Sequence, residues 1–521
     1  MIDYERLVAP REDGGLLLEP APARWRWLSE PPSSYADAWL GGASIGDLRR
    51  AWRERLGLRS PVIIAGHQPE FFHAGVLAKN LAAAALVARV GGTAVFLTVD
   101  TDVPKTAHLR VPQATAGGLR ALDLPIPGAD SQRSYTDQPP ATSDRWLGLF
   151  AQAGAALSAH GETLLPTFAR AWLAGAPPQV GYVDAFDRAR RASERAAGIE
   201  PLVEVRVSEL AAGPEFGAFV AALLADAPRF AHEYNTALES YRRRHRVSAP
   251  GRPVPPLASL GDRVEAPLWI SRRGGPRRRM FVRRGATDVE VFCEDEPAFR
   301  IGLTALASNA AWPPPEPWRV WPRALTLSAL VRLLLADLFI HGIGGARYDE
   351  MTEAFAGSFF AVELAPMACV SATLRLPLPR SRLGIGDWLA ARHAARDVRH
   401  NPQRHLAQAP PELLAARAEW VRRSEELRRA PRSRSARVER AAIFSEIRRV
   451  NARLLEVEPW LAARYDQRVE AIAAALAQDR IALDREYFYG LHRVADVREL
   501  SALIHEQLVA LSPGAARSGA S

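Results

Sequence analysis

Residues 61–105 read PVIIAGHQPEFFHAGVLAKNLAAAALVARVGGTAVFLTVDTDVPK, and the change of pattern inside them sets the fold class. Val62–Ala65 are four apolar residues ending at Gly66, the mark of a short buried strand. Residues 74–90 are rich in Ala and Leu and predict a helix, which Gly91 and Gly92 stop. TAVFLTVD (93–100) is a second apolar strand. Strand, glycine-containing turn, helix and strand within about 40 residues predict a parallel βαβ unit, and so an α/β core. Ligands of such sheets bind beyond the carboxyl ends of the strands. Here those ends carry Gly66, His67 and Gln68 after the first strand, and Asp100, Thr101 and Asp102 after the second.

On the amino-terminal side, residues 1–60 predict a peripheral helical segment, with SIGDLRRAWRERLGL (44–58) amphipathic. The core is expected over 61–400, with a loop-like stretch at 111–144 and a helical insertion at about 145–246. After the break SAPGRPVPP (248–256), PLWISRRGGPRRRMFVRR (267–284) predicts a β-hairpin turning at Gly274–Gly275. A second proline break, WPPPEPW (312–318), precedes ALTLSALVRLLLADLFIHGIG (324–344), taken as one buried helix. Arg332 and Asp337 in its middle would be costly in lipid, which argues against a membrane partner. A helix from about Arg347 and a strand, ACVSATLRL (368–376), follow.

Residues 401–490 predict a helical hairpin. Ile443, Ile447, Val450, Leu454, Val457, Leu461, Tyr465, Val469 and Ile472 are spaced by threes and fours, a heptad seam. ELLAARAEWVRRSEELRR (412–429) is its antiparallel partner across PRSRS (431–435), and Pro459 should kink the seam or start a new helix. Nine apolar positions exceed what one helix of about 20 residues covers, so part of the seam should face another subunit or the core, and a homodimer through this coiled coil is expected. Residues 491–521 form a C-terminal helix and tail.

The 521 residues carry 67 Lys and Arg against 58 Asp and Glu, net charge +9. Only Lys79 and Lys105 are lysines, leaving 65 arginines, so surface arginine carries little information and the two lysines carry more. The charge is spread among acidic residues at helical spacing with no aromatic-basic stripe, which argues against nucleic acid, and no nucleic-acid partner is expected. Two cysteines, Cys293 and Cys369, exclude a disulfide framework and suit a reducing cytoplasm. The start, MIDYERLVAPREDGG, lacks the apolar region of a signal peptide.

Between His67 and His108 lie three of the twelve histidines, both lysines, Glu70, Asp100 and Asp102. His73, Ala74 and Gly75 would open the first helix, where free N–H groups favour an anion such as phosphate. Gly342, Gly344 and Gly345 precede a second helix and allow close backbone approach. No HExxH spacing occurs and no metal is predicted; no GxSxG or P-loop is present. Lys79 should sit near the ligand end of the first helix, and Lys105 is the better placed to reach a bound carboxylate or phosphate.

AGHQPEFFHAG (65–75), VFLTVDTD (95–102), PLWISRRGGPRRRMFV (267–282), WPRALT (321–326), IHGIGGARYDEM (340–351) and CVSATLRL (369–376) resemble, in the same order, segments of the cysteine-adding enzymes of bacillithiol biosynthesis. The helical hairpin is similar to that family's coiled coil. The resemblance implies a Rossmann-like parallel-sheet core with helical insertions and a C-terminal antiparallel coiled-coil hairpin. It also implies carbon–nitrogen ligation of an amino acid or other carboxylate to a sugar-derived amine, with ATP or another nucleotide as cofactor. By position it carries over Gly66, Gln68, Phe72, Asp100, Asp102, Arg323, Gly344, Gly345 and Tyr348. His67, His73–Ala74 and Thr101 depart from the family pattern, and Lys79 is out of register with its lysine. In this reading His67 and His73 donate to developing negative charge, Asp100 or Asp102 orients the amine, and Lys105 assists. Gly66, Gln68, Gly75, Lys79, Arg323, Gly344, Gly345 and Tyr348 would bind the cofactor. The alternative is a non-catalytic nucleotide- or sugar-binding protein that uses the coiled coil for interaction.

Overall fold

A computed structural model describes residues 2–25, 35, 38–40, 42–158, 161–175, 179–249, 251–307, 312–429 and 433–509; the tail expected beyond 509 and Pro431–Arg432 of the helical turn lie outside them. The chain divides into two compact units, one of Met1–Gln113, Ala121–Leu376 and Arg485–Ser521, the other of Ala114–Arg120 and Pro377–Asp484.

The first unit is built on a six-stranded mixed sheet, mostly parallel. Its strands are β1 (Leu16–Glu19), β2 (Val62–His67), β3 (Thr93–Thr98), β4 (Val203–Arg206), and, further along the chain, Leu338–His341 and Met367–Ala372. Between β4 and those last two come β5 (Arg263–Arg272) and β6 (Arg278–Arg284) of a second sheet, so the pair are β7 and β8. The spatial order is β1-β8-β7-β2-β3-β4, with β1 antiparallel to β8 and the rest parallel. The chain thus steps from β2 outward through β3 to β4, then returns to the other side of β2 with β7 and β8. Val62, Ile63, Ile64 and Ala65 are all fully buried, as central parallel strands are when both faces are covered.

The βαβ expectation holds. Helix α1 (Ala74–Val90) joins β2 to β3, which pair in parallel from Val62↔Thr93 to His67↔Thr98. Eleven of its residues are buried, and the six of them that are Ala or Gly let the helix lie close on the sheet. Gly91 ends it at φ 78°, where a side chain would be strained. Gly66 is required for a different reason, since a Cβ there would stand 2.6 Å from the Leu97 carbonyl oxygen of β3.

Four expectations are corrected. Residues 324–344 are not one helix: α3 (Ala324–Leu334) stops and β7 runs through the middle of the sheet. The charges that argued against lipid are paired inside the protein. Arg332 binds Asp349 and Glu353, and Asp337 accepts from Arg49, Arg53 and the Val62 N–H, each at 2.8 Å. The 145–246 segment holds the edge strand β4 as well as helices, among them α2 (Val207–Ala212). The 111–144 stretch overlaps an antiparallel pair of strands, His108–Thr115 and Gly118–Pro125, and the 1–60 segment contributes β1. The predicted hairpin is β5–β6, extended by Asp288–Cys293 and Glu296–Gly302 on one side and by Trp318–Pro322 against β5 on the other. No described helix is long and apolar enough to cross a membrane.

Helix α4 (Ile343–Phe360) follows β7. The second unit holds α5 (Ile385–His400), α6 (Pro411–Arg429), α7 (Arg434–Val457) and α8 (Trp460–Ala482). It therefore begins before residue 401 and takes in α5. Pro459 ends α7 and caps a new helix. Leu413 of α6 packs with Val450 and Leu454 of α7, flanked by Leu406, Ala409, Ala416 and Trp420. Helix α8 packs on α5. Of the nine seam positions only Val457 is exposed, so two partner helices cover a seam for which one was counted, and the counting that called for a second subunit no longer applies.

Candidate functional site

The strand order reverses direction between β2 and β7, and the candidate site is the edge at the carboxyl ends of both. Strands β2 and β7 pair in register through Ala65↔Ile340, and the Val99 N–H beyond β3 donates to the His67 carbonyl at 3.0 Å. The His67–Gln68 turn, the Asp100–Asp102 turn and the Gly342 turn therefore share one edge. The turn after β2 is fixed from below by aromatic packing. Phe71 stacks on Trp172 with centroids 5.6 Å apart, and Phe72 meets His67 at 5.4 Å and Tyr489 at 5.1 Å. The Phe72 carbonyl accepts from the Tyr489 N–H at 2.9 Å.

Lys79 of α1 is 4% exposed, and its ammonium donates to the Gly66 carbonyl. Burial brings it down from 10.5 to about 7, and the neighbouring charge of Lys105 adds to the fall. No carboxylate among the described residues pairs with it. Its aliphatic stem passes 3.9 Å from where a Cβ on Gly342 would be. Gly342 is the N-cap of α4 and has no side-chain cap; Gly344 faces open space, and a Cβ on Gly345 would strike His341. The first N–H groups of a helix have no acceptor within it, so α4 presents unpaired donors beside Lys79.

The first helix does not. His73 Nδ1 accepts from the Gly75 N–H at 3.0 Å, and Gly75 is walled in by Arg485 and the Ala372 carbonyl. The anion seat expected at His73–Gly75 is closed, and the open helix start at this edge is that of α4. Burial, then Arg485, lowers His73 to about 3, so it is neutral with its proton on Nε2. His67 is also held neutral, well below its ordinary value, by burial and by Lys79 and Lys105. Its Nδ1 lies 3.1 Å from the Gln68 carbonyl, which can only accept, so Nδ1 carries the proton and Nε2 is a bare acceptor. Where two donors were expected, His73 retains an N–H and His67 offers a lone pair.

Asp100 is 1% exposed and caps α2, accepting from the Ser208 N–H at 2.9 Å and from its hydroxyl; burial pushes it up to about 6. Both its oxygens are occupied in joining β3 to the segment after β4. Asp102 is the more exposed of the two, with both its oxygens also engaged, one of them by the Val103 N–H at 2.9 Å. Gln68 Nε2 donates to it at 2.7 Å, and Arg277 Nη2, from the turn between β5 and β6, pairs with it at 2.7 Å while Nη1 reaches the Thr101 carbonyl at 3.1 Å. Lys105 is exposed, yet its charge acts on His67, Lys79 and Glu70. Glu70, raised by burial, accepts from the Tyr135 hydroxyl at 3.0 Å.

Arg323 pairs with Glu265 at 2.7 Å and lies 4.3 Å over the Trp269 ring, tied into the second sheet. Tyr348 is 39% exposed and its ring meets Tyr241. Neither makes a bond to the strand-end groups. Arg277 was missed: among 65 arginines it carries no signal, and only the glycine turn beside it marks the place. Among the described residues no three His, Cys, Asp or Glu side chains converge as metal ligands. Set against models of known protein families and against curated proteins, the chain matches none.

Proposed function

We propose that the protein is a ligase-like enzyme that joins an amino acid or other carboxylate to a sugar-derived amine at the β2–β7 edge. The observation that carries this reading is the convergence of Lys79, the open α4 start, neutral His67 and Asp102 at one edge of the sheet. The strand order, stepping out on one side of β2 and returning on the other, supports a Rossmann-like core, in which ligands take the crevice at the reversal. Unpaired N–H groups next to a buried amine fit the phosphates of a nucleotide, and a nucleoside triphosphate would supply the activating group for the carboxylate. Asp102, held by Gln68 and Arg277, is positioned to orient an ammonium or a hydroxyl. His67 Nε2 can take the proton that an attacking amine must lose. His73 Nε2–H can donate to negative charge.

The homodimer and the coiled-coil hairpin now rest on the family resemblance, with α6 and α7 as the hairpin. The two free cysteines fit a reducing cytoplasm. The test is incubation with ATP, cysteine and glucosaminyl-malate, with mass spectrometry for the amide. Product formation abolished by Asp102→Asn supports the reading. Nucleotide binding without turnover of these or related carboxylates turns it to the non-catalytic binding protein.

A further inference from the structure

Lys79 is a buried amine that donates to the Gly66 carbonyl and has no carboxylate partner among the described residues. The groups acting on it are Cys369 of β8, whose thiol burial pushes up to about 12 and so keeps neutral, and Lys105 of the loop after β3, which is itself positive. The two histidines that feel its charge, His67 at the end of β2 and His73 at the start of α1, are both neutral. Among the described residues no carboxylate pairs with this ammonium: Asp102 at the same edge is taken up by Arg277, and Glu486 stands by His73. Beside its stem stand Gly342 and the unpaired donors of α4, with open space over Gly344. A compact ammonium next to a helix start is suited to a tetrahedral phosphate, which it meets as a point charge.

We infer that Lys79 is the counter-ion of a phosphate group seated on the first turn of α4, and that the amine takes up a proton as the phosphate arrives. The inference rests on this edge being the phosphate-handling site proposed above. The incoming dianion is the partner that pairs with the amine directly; it restores the ammonium, and the proton comes from solvent. Binding is then coupled to proton uptake, and affinity falls by about tenfold per pH unit above the value at which the empty site loses its proton.

Inorganic sulfate, a tetrahedral dianion that does not titrate in this range, is the probe for the seat. Its apparent affinity is read from the concentration dependence of the melting temperature at pH 7, 8 and 9, for the parent and for Lys79→Met, whose own response cancels the general salting-out effect. The parent should show saturable stabilisation that weakens about tenfold per pH unit from 7 to 9, and Lys79→Met should show none beyond salting-out. Equal responses of the two proteins, no saturable stabilisation of the parent, or a parent affinity independent of pH each overturns the inference. ADP, whose phosphates are fully ionised at pH 8 and above, is the second probe. Sulfate binding with the predicted pH dependence but no ADP binding leaves the seat standing and removes the nucleotide reading.

Discussion

Lys79→Met should change the stability of the protein in opposite directions at neutral and alkaline pH. Lysine ordinarily titrates at 10.5, and in the folded chain Lys79 does so at about 7. Between these values the unfolded chain holds a proton that the folded chain has released, and where the unfolded state binds more protons stability rises with pH. At about 1.4 kcal/mol per pH unit, less near pH 7 where the folded group is half charged, the burial of Lys79 costs about 4 kcal/mol at pH 7. Methionine has a similar unbranched length and no charge, so it removes that cost. It also leaves the Gly66 carbonyl without its donor, a loss of about 1–3 kcal/mol. The variant should therefore be more stable than the parent by about 1–3 kcal/mol at pH 7, and less stable by about the same amount at pH 10.5 and above. Urea unfolding of both proteins at pH 7 and 10.5, followed by tryptophan fluorescence, gives the two differences, and other titrating groups cancel between them. A difference of the same sign and size at both pH values would refute the reasoning, because it would mean that Lys79 keeps its proton in the folded state.

Phe72→Ala removes a ring that is 4% exposed and packs on His67, Phe96 and Tyr489; thermal unfolding should show a loss of about 3–5 kcal/mol. Arg277→Ala should lower turnover, or ADP affinity if no turnover is found, whereas Arg273→Ala, which breaks only the exposed pair with Glu316, should leave both unchanged and shift stability by less than about 0.5 kcal/mol. Leu454→Ala, at a fully buried seam position of α7, should cost the helical unit about 2–5 kcal/mol in calorimetry while light scattering gives the mass of the parent, because α6 covers that position within the chain.

The parts of the fold legible in the sequence were those with a change of period. β2, α1 and β3 alternate apolar run, Ala/Leu helix and apolar run with glycines between, and each boundary has a residue that marks it. β7 had no such mark. Residues 324–344 are apolar throughout, and a buried helix and a central parallel strand both read that way, since each is covered on all sides. The break between them falls at Leu335–Asp337, where Asp337 faces Arg49 and Arg53 rather than solvent, a pairing across nearly 300 residues that no local pattern reveals. β4 was hidden for a simpler reason: four residues, VEVR, between helices are too short to show alternation.

Missing β7 also misplaced the anion seat. With 324–344 taken as one helix, the anion was assigned to the start at His73–Gly75, and the Gly342–Gly345 run, though expected to bind the cofactor, had no strand to place it beside β2. Once β7 lies beside β2, two helix starts meet at the edge, and their fates follow from the residue at each cap. His73 has a ring nitrogen that can fold back onto Gly75, so α1 satisfies itself. Gly342 has nothing to fold back, so α4 cannot. The same comparison separates the two lysines. Rarity singled out both, and Lys105, in a loop, was the one expected to reach a ligand. Lys105 keeps its ammonium in solvent, where an arginine would do as well. Lys79 is the one that 65 arginines did not replace at a buried position, because a guanidinium there would stay charged with no carboxylate to meet it, while an amine can give its proton up.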